Sequence, residues 1–490
     1  MNTLYAIKNL AIKNFKCYDD SNQCVSFGKE LTIIIGQNGA GKTVFLNALK
    51  KVISIILTKD RRRNVNFIGD VTNIKQSTLK DSDARYNFDF SESGRNYEFP
   101  VVVNCEGVIR DEEVNWYIEK VSKGSRSVMT YREALDLFLS PLNDSNEYPK
   151  LPILCYFSDC YPHVRNDLSL YEKDILYSKS DNPERRAGYY RWDDDNVDFL
   201  FWSGMFVNAF KKINDMVTGL QATEESLKKQ NLPEGHRMVL LNRRESLERK
   251  LKEIKYITHI LIQFTRSIKN YDNQNIEIES IGVGHHIVEN GKEVDAIKIN
   301  FANGTSRYFD MLPEGHKRLF SIVFEIAYRN FVLNRNLILN DEFCHPEGIV
   351  IIDEVELHLH PSLAEEALAR LRSTFPNIQF IVTTHSPLVV SNIYNDDTAV
   401  RVLRLDKNHR FVPVQNCFKA EYGDTLVMAM GAYSSMRYTT ILRERYIEAV
   451  LNDDEETIDS IRNDLMSFVG NIINSESIVD SILAEWRELI

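Results

Sequence analysis

The chain has 490 residues, 59 Lys and Arg against 70 Asp and Glu, and a formal net charge of −11. That length predicts about two to three domains with ample core, and the charge excludes a surface coated in basic residues for nucleic acid while leaving room for a local groove. Seven cysteines stand at 17, 24, 105, 155, 160, 344 and 417 with no C-x-x-C or paired ligand spacing, and no leader pattern or long apolar run is present. Spanning a bilayer takes roughly 20 apolar residues, so a soluble cytoplasmic protein with reduced thiols and no membrane partner is expected.

The first 35 residues alternate like strands, over Tyr5–Phe15, Gln23–Phe27 and Leu31–Ile35. Within the first, Phe15 and its neighbouring lysines stand some twenty residues before a glycine-rich loop. There Phe15 either stacks an adenine with help from a nearby cation or packs as core.

Gly36, Gln37, Asn38, Gly39, Ala40, Gly41, Lys42 and Thr43 then fit G-x-x-x-x-G-K-[ST] at every defined position. Glycines let successive N–H groups turn inward around phosphates, and the following helix aims its positive end at them. Lys42 is expected to reach the β- and γ-phosphates of ATP, and the Thr43 hydroxyl to take a Mg²⁺ position. The context fits, because a β-branched strand precedes the loop and Val44–Leu57 is apolar at helical spacing.

Beyond that helix, Arg61-Arg-Arg63 reads as a basic turn. Gln76 is either a Mg²⁺ or water ligand or a surface glutamine. Residues 84–105, 114–120 and 151–157 read as strands, and the aromatic-rich stretch 187–210 as packing. From about 205 to 270 a charged helical pattern broken by Pro233-Glu-Gly235 predicts an inserted αα-hairpin.

Strand signals return at 276–309. Met311–Arg318 then leads into an apolar helix with two basic residues in its first turn, where the helix dipole favours acids. A phosphate brought by another subunit would relieve that cost.

Gly348-Ile-Val-Ile-Ile-Asp-Glu-Val-Glu356 is a buried-strand run ending in acids. Asp353 is placed to hold Mg²⁺, and Glu354 to polarise the water that attacks a γ-phosphate. His358 and His360 have spacing for a metal, but no further His or Cys surrounds them. Asn377–Pro387 is another strand, ending in His385, which either hydrogen-bonds a γ-phosphate or rests satisfied in a loop. The end of the chain, from about Asp424, reads as helices.

These motifs, in this order, resemble the ABC-type ATPases, and more closely the branch holding the SMC, RecF and overcoming-lysogenization-defect ATPases. The likeness rests on Ile-Asp-Glu-Val-Glu-Leu-His-Leu-His-Pro and Thr-Thr-His-Ser-Pro, and directly covers residues 4–55 and 276–405. It implies an α/β, ABC-type P-loop NTPase head with an antiparallel β subdomain. Its halves would span 1–204 and 273–410, divided by a helical hairpin at 205–272 and followed by a helical region at 411–490. It further implies two heads meeting head to tail, with Gly36–Thr43 as Walker A, Asp353 as the Walker B acid, Glu354 as hydrolytic base and His385 as switch histidine. Leu312–His316 stands where the family carries Leu-Ser-Gly-Gly-Gln, so Leu312, Gly315 and Lys317 would meet the partner's nucleotide. Pro313, Glu314 and His316 depart from that pattern, which implies slow turnover.

The 105 residues after His385 contain no strand-end Glu-Gly and no Asp-x-Asp, so the metal-dependent nuclease that overcoming-lysogenization-defect proteins carry there is not expected. That organisation is similar to the ATPase subunits of Septu-type antiphage systems (the PtuA family), which also occur with some retrons. The resemblance implies higher oligomers, a separate HNH-type nuclease as partner, and nucleic acid met through the complex. The alternative is a DNA repair or recombination ATPase acting directly on DNA.

Overall fold

The computed structural model describes residues 3–21, 23–58, 77–88, 95–143, 149–162, 172, 185–195, 199–227, 234–266, 277–287, 291, 293–339, 345–414, 417–420, 425, 429, 436–469 and 475–487. In chain order the strands among these are β1 (Tyr5–Lys13), β2 (Gln23–Ser26), β3 (Leu31–Gly36), β4 (Tyr86–Phe88), β5 (Arg95–Tyr97), β6 (Val101–Ile109), β7 (Glu112–Lys120) and β8 (Val128–Thr130). They continue with β9 (Ile153–Phe157), β10 (Ile278–Ile287), β11 (Glu293–Phe301), β12 (Ser306–Tyr308), β13 (Gly348–Ile352), β14 (Ile378–Thr384), β15 (Val400–Leu405) and β16 (Phe411–Pro413). The chain forms two compact units, Met1–Ala420 and Glu421–Ile490.

The first unit is built on a six-stranded sheet of order β16-β15-β3-β14-β13-β9, parallel except for the edge strand β16. Every residue of β3, β9, β13 and β14 is buried, in keeping with their mostly aliphatic and β-branched runs: a parallel sheet is covered on both faces. Because the strands are parallel, their C-terminal ends share one edge. Register places Ile35 beside Thr384, Ile352 beside Val382 and Phe157, and Gly36 beside Leu405. The residues that follow those ends are therefore brought together by pairing alone.

A five-stranded antiparallel sheet, β2-β1-β6-β7-β8, alternates buried and open positions as a one-sided sheet does. Helix α1 (Lys42–Ile53) is tied to it at its C-terminal end, where Tyr5 Oη donates to Ile53 O and Trp116 Nε1 to Val52 O, both at 2.8 Å. Buried Gln379 of β14 joins the two sheets. Its amide accepts from Ile7 N–H and donates to Ile7 O and Gly28 O, each at 2.8 Å, at the point where the β1–β6 register slips. An amide in an otherwise apolar strand is thus fully engaged, as burial demands.

Helix α2 (Arg132–Leu139) follows β8. Helices α3 (Leu200–Leu227) and α4 (Glu234–Thr265) form the inserted pair, with Phe206, Ala209, Ile257, Ile260 and Phe264 buried between their bases and the unit. Trp192, Trp202 and Phe206 are almost fully buried, so the aromatic-rich stretch is packing. The pair stands on α5 (Glu314–Leu339), a helix buried for most of its length, through bonds from Tyr328 to Glu253 and from Asn330 Nδ2 to Tyr256 Oη at 2.7 Å. Strands β10-β11-β12 form a separate three-stranded sheet leading into α5. Helices α6 (Pro361–Thr374) and α7 (Pro387–Ser391) follow β13 and β14, and β16 still belongs to the sheet of this first unit.

The second unit carries α8 (Met436–Leu451), α9 (Glu455–Val469) and α10 (Ser475–Arg487) around Leu442, Tyr446, Ile461, Leu465, Val479, Leu483 and Trp486. The mixed α/β architecture with a helical C-terminal region matches the fold expected from sequence. Among the described residues no helix is long and apolar enough to cross a membrane.

Candidate nucleotide site

Between β3 and α1, Gly36–Thr43 makes the tight turn its glycines predict. Gly39 and Gly41 sit at φ +79° and +105°, where a side chain would strain the backbone, and residues 37–39 are exposed. The loop is braced from behind. Tyr18 Oη donates to Gly41 O at 3.1 Å, and His409 Nδ1 donates to Ala40 O at 2.6 Å from the β15–β16 turn.

Lys42 Nζ is folded onto its own loop, donating to Gly36 O at 3.0 Å, and lies 2.7 Å from His385 Nε2. An ammonium has only hydrogens to offer, so Nε2 accepts and the imidazole proton rests on Nδ1. That agrees with a His385 pKa pushed below the usual range by burial and by the Lys42 charge. Burial likewise lowers Lys42, against the pull of Glu354, Asp353 and Glu356.

Asp353, 2% exposed, follows β13 and accepts from Thr43 Oγ1 at 2.8 Å through one oxygen and from Thr383 Oγ1 through the other. Thr383 Oγ1 also accepts from Glu354 N–H at 2.8 Å. Glu354 itself sits at φ +50°, an unusual backbone for a non-glycine residue and a mark of functional sites. Its carboxylate lies 3.5 Å from His385 Nε2. Its pKa is raised, first by burial and then by the charges of Asp353, Glu356 and Asp159, with Lys42 opposing. His385 N–H donates to Glu356.

The structure therefore brings Gly36–Thr43, Asp353, Glu354 and His385 to one place. Hard oxygen donors in contact, a hydroxyl and a buried carboxylate, suit Mg²⁺, and an open glycine loop closed by a lysine suits the phosphates of ATP. Leu312, Gly315 and Lys317 are not part of this cluster. Leu312 and Gly315 line a cavity of about 550 Å³ together with Arg307, His316, His358 and His360, and no residue of 36–43 lines it. Lys317 is paired with Glu314 of its own helix at 2.7 Å, so part of the cost of basic residues at the helix mouth is relieved within the helix.

Phe15 is 0% exposed, so no ring face is open to an adenine, and the residue is core. Gln76 lies outside the described residues, as does the Arg61–Arg63 turn. His360 caps α6 through Nδ1, and among the described residues no group of three or more His, Cys, Asp and Glu could hold a metal ion.

Sequence reasoning passed over Thr383 and His409, and read Arg318 only as one of two basic residues at a helix mouth awaiting a phosphate. Arg318 is 1% exposed, and its guanidinium donates to the carbonyls of Ser158, Asp159, Tyr161, Asp353 and Glu354. Thr383 carries one usable signal, a hydroxyl two residues before His385 on a strand beside the acids.

The chain is 25% identical over 449 residues to "Retron Vc95 probable ATPase" of Vibrio cholerae, an alignment covering 87% of this chain and 79% of that one. It is 28% identical over 248 residues to "Septu protein PtuA" of Bacillus mycoides, covering 46% of this chain and 33% of that one. Among solved structures, the SMC head domain from Thermotoga maritima matches 84% of this chain and 99% of its own length, at 13% identity and a TM-score of 0.39. The family model described as "AAA domain, putative AbiEii toxin, Type IV TA system" matches residues 31–391, most of the chain, and the protein belongs to that family.

Proposed function

We propose that this chain is an ATPase whose complete nucleotide site forms between two copies, and that it serves an antiphage defence complex by controlling a separate HNH-type nuclease. The observation that carries the ATPase reading is the strand-end cluster: a phosphate loop, Thr43 on Asp353, and Glu354 beside His385. The separation of the Leu312–Gly315 cavity from that cluster supports sharing between copies, because each chain then offers two half-sites. The defence role is supported by similarity to retron and Septu ATPases.

In this reading the loop N–H groups and Lys42 bind the β- and γ-phosphates, and Thr43 and Asp353 hold Mg²⁺, which supplies charge neutralisation on the phosphate oxygens. Moving Lys42 onto a phosphate frees His385 Nε2, which then orients toward the γ-phosphate and Glu354. Glu354 takes a proton from the attacking water as its oxygen bonds to phosphorus and the bond to ADP breaks. The raised Glu354 pKa makes the carboxylate a better base than an ordinary surface glutamate. Pro313 and Glu314 offer no serine hydroxyl to the partner's nucleotide, so turnover is slow. No nuclease site of its own is assigned. The helical C-terminal unit is the candidate surface for docking the nuclease, and nucleic acid is met through the complex.

The test has two arms. Lys42→Ala should abolish ATP binding, and Glu354→Gln should keep binding and abolish hydrolysis; turnover undiminished in Glu354→Gln would remove the assigned base. Co-purification of a tagged chain expressed with its neighbouring genes should return a stoichiometric HNH-type companion. A lone chain whose hydrolysis is stimulated by DNA would instead support the repair ATPase.

A further inference from the structure

We propose that Arg318 is a positioning residue that couples the mouth of α5, where the second copy's nucleotide is expected, to the backbone of Glu354. This rests on the ATPase reading above. Arg318 stands one turn into α5, and its Nη1 donates to Asp159 O at 2.9 Å and Tyr161 O at 2.6 Å. Its Nη2 donates to Ser158 O at 3.2 Å, Asp353 O at 2.9 Å and Glu354 O at 3.2 Å. Nη2 carries two hydrogens for three acceptors, so one bond is shared. A buried cation is costly unless hydrogen-bonded; here both Nη groups are engaged, while Nε is buried without a partner. Only the planar guanidinium can reach this many carbonyls, drawn from two loops.

Those two loops follow β9 and β13, the neighbours that end at the site. The Glu354 peptide is consequently held from both sides: its N–H by Thr383 Oγ1 and its C=O by Arg318. That grip fixes a residue whose φ of +50° is otherwise unfavourable. The first turn of α5 touches the same segment a second time at Gly315, where an added Cβ would lie 2.7 Å from His358 O. Residues 353–359 are thus fastened to the mouth of α5 at two points four residues apart, and a shift of the mouth cannot leave Glu354 in place. Engagement of a second head at Leu312–Gly315 is in this way reported to the hydrolytic base.

The experiment compares full-length wild type with Arg318→Lys and Arg318→Met for ATP affinity, kcat, KM and thermal unfolding. Since misplacing a catalytic group by about 1 Å can cost on the order of 100-fold, Arg318→Met should lose about that factor in kcat, and Arg318→Lys, which keeps the charge and some bonds, about tenfold. ATP affinity should stay within about twofold. Wild-type kcat in Arg318→Lys, or a kcat loss matched by equal loss of ATP affinity, would overturn the proposal.

Should the variants not fold, hydrogen exchange on the full-length Glu354→Gln protein decides. With ATP, segments 314–320 and 353–359 should gain protection together, and protection of the first alone would overturn the coupling. If Glu354→Gln itself kept turnover, the ATPase reading would fail. A dead Glu354→Gln beside a fully active Arg318→Lys would sink the Arg318 role alone.

Discussion

Thr383→Val is the substitution that most sharply probes how the site is held. Valine keeps the β-branched shape that β14 buries, so no cavity opens and the change is confined to one hydroxyl. That hydroxyl donates to Asp353 and accepts from Glu354 N–H at 2.8 Å. Leaving a buried N–H without a partner costs about 1–3 kcal/mol, and a hydrogen bond to a charged group contributes about 1.5–3 kcal/mol. Part of the second is recovered because Asp353 keeps its bond from Thr43. A net loss of about 2–4 kcal/mol in unfolding free energy is therefore expected, with a fall in kcat as Glu354 relaxes from its positive φ. Thr383→Ser, which restores the hydroxyl, should lie near wild type in both. Denaturant unfolding and a phosphate-release assay on the three proteins measure this. The reasoning is refuted if valine behaves as wild type, or if serine is as damaging as valine.

Glu354→Gln should also change stability with pH. The folded pKa of Glu354 lies above its ordinary 4.5, so its favourable contribution is complete only below that value and is lost as pH rises through the raised one. At pH 7 the ionised carboxylate is a net cost, and the glutamine variant should be the more stable protein, with the advantage fading toward pH 4; a pH-independent difference in unfolding midpoint would contradict this. The rate of hydrolysis should fall on acidification, because the base must be unprotonated, and a rate that did not fall would separate hydrolysis from a carboxylate base. Trp116→Ala should cost about 3–5 kcal/mol, as a nearly fully buried indole is lost together with its bond to Val52 O, and chemical denaturation reads it.

How much of this was legible in the sequence follows from the physics of each element. The phosphate loop and the acids after β13 could be read because parallel strands buried on both faces must be unbroken apolar runs, so a sudden Gly or Asp-Glu marks their ends. Thr383 was harder, since in a strand a threonine reads as one more β-branched residue and only its place two residues before His385 marks it. Arg318 was legible only as a basic residue at odds with the helix dipole, because only tertiary structure supplies the five carbonyls that make it a buried strut. Gln379 likewise stands in an apolar strand with no local sign of its contacts across two sheets. Phe15 stayed open between two roles because an aromatic beside lysines carries the same pattern whether its ring faces a base or the core. The positive φ of Glu354 leaves no trace in residue type at all.

The central claim is that one nucleotide site is shared between two copies, and subunit mixing tests it most directly. Lys42→Ala removes the phosphate-loop half and leaves the α5 mouth intact, while Lys317→Glu reverses charge at the mouth and leaves the loop intact. Each variant alone should hydrolyse ATP far below wild type. Mixed in equal amounts, they can pair so that the intact loop of one faces the intact mouth of the other; half of the dimers are then mixed, each with one intact site of two, and hydrolysis should recover toward a quarter of the wild-type rate. Failure of the mixture to exceed its components, with both variants folded and associating, would contradict a shared site.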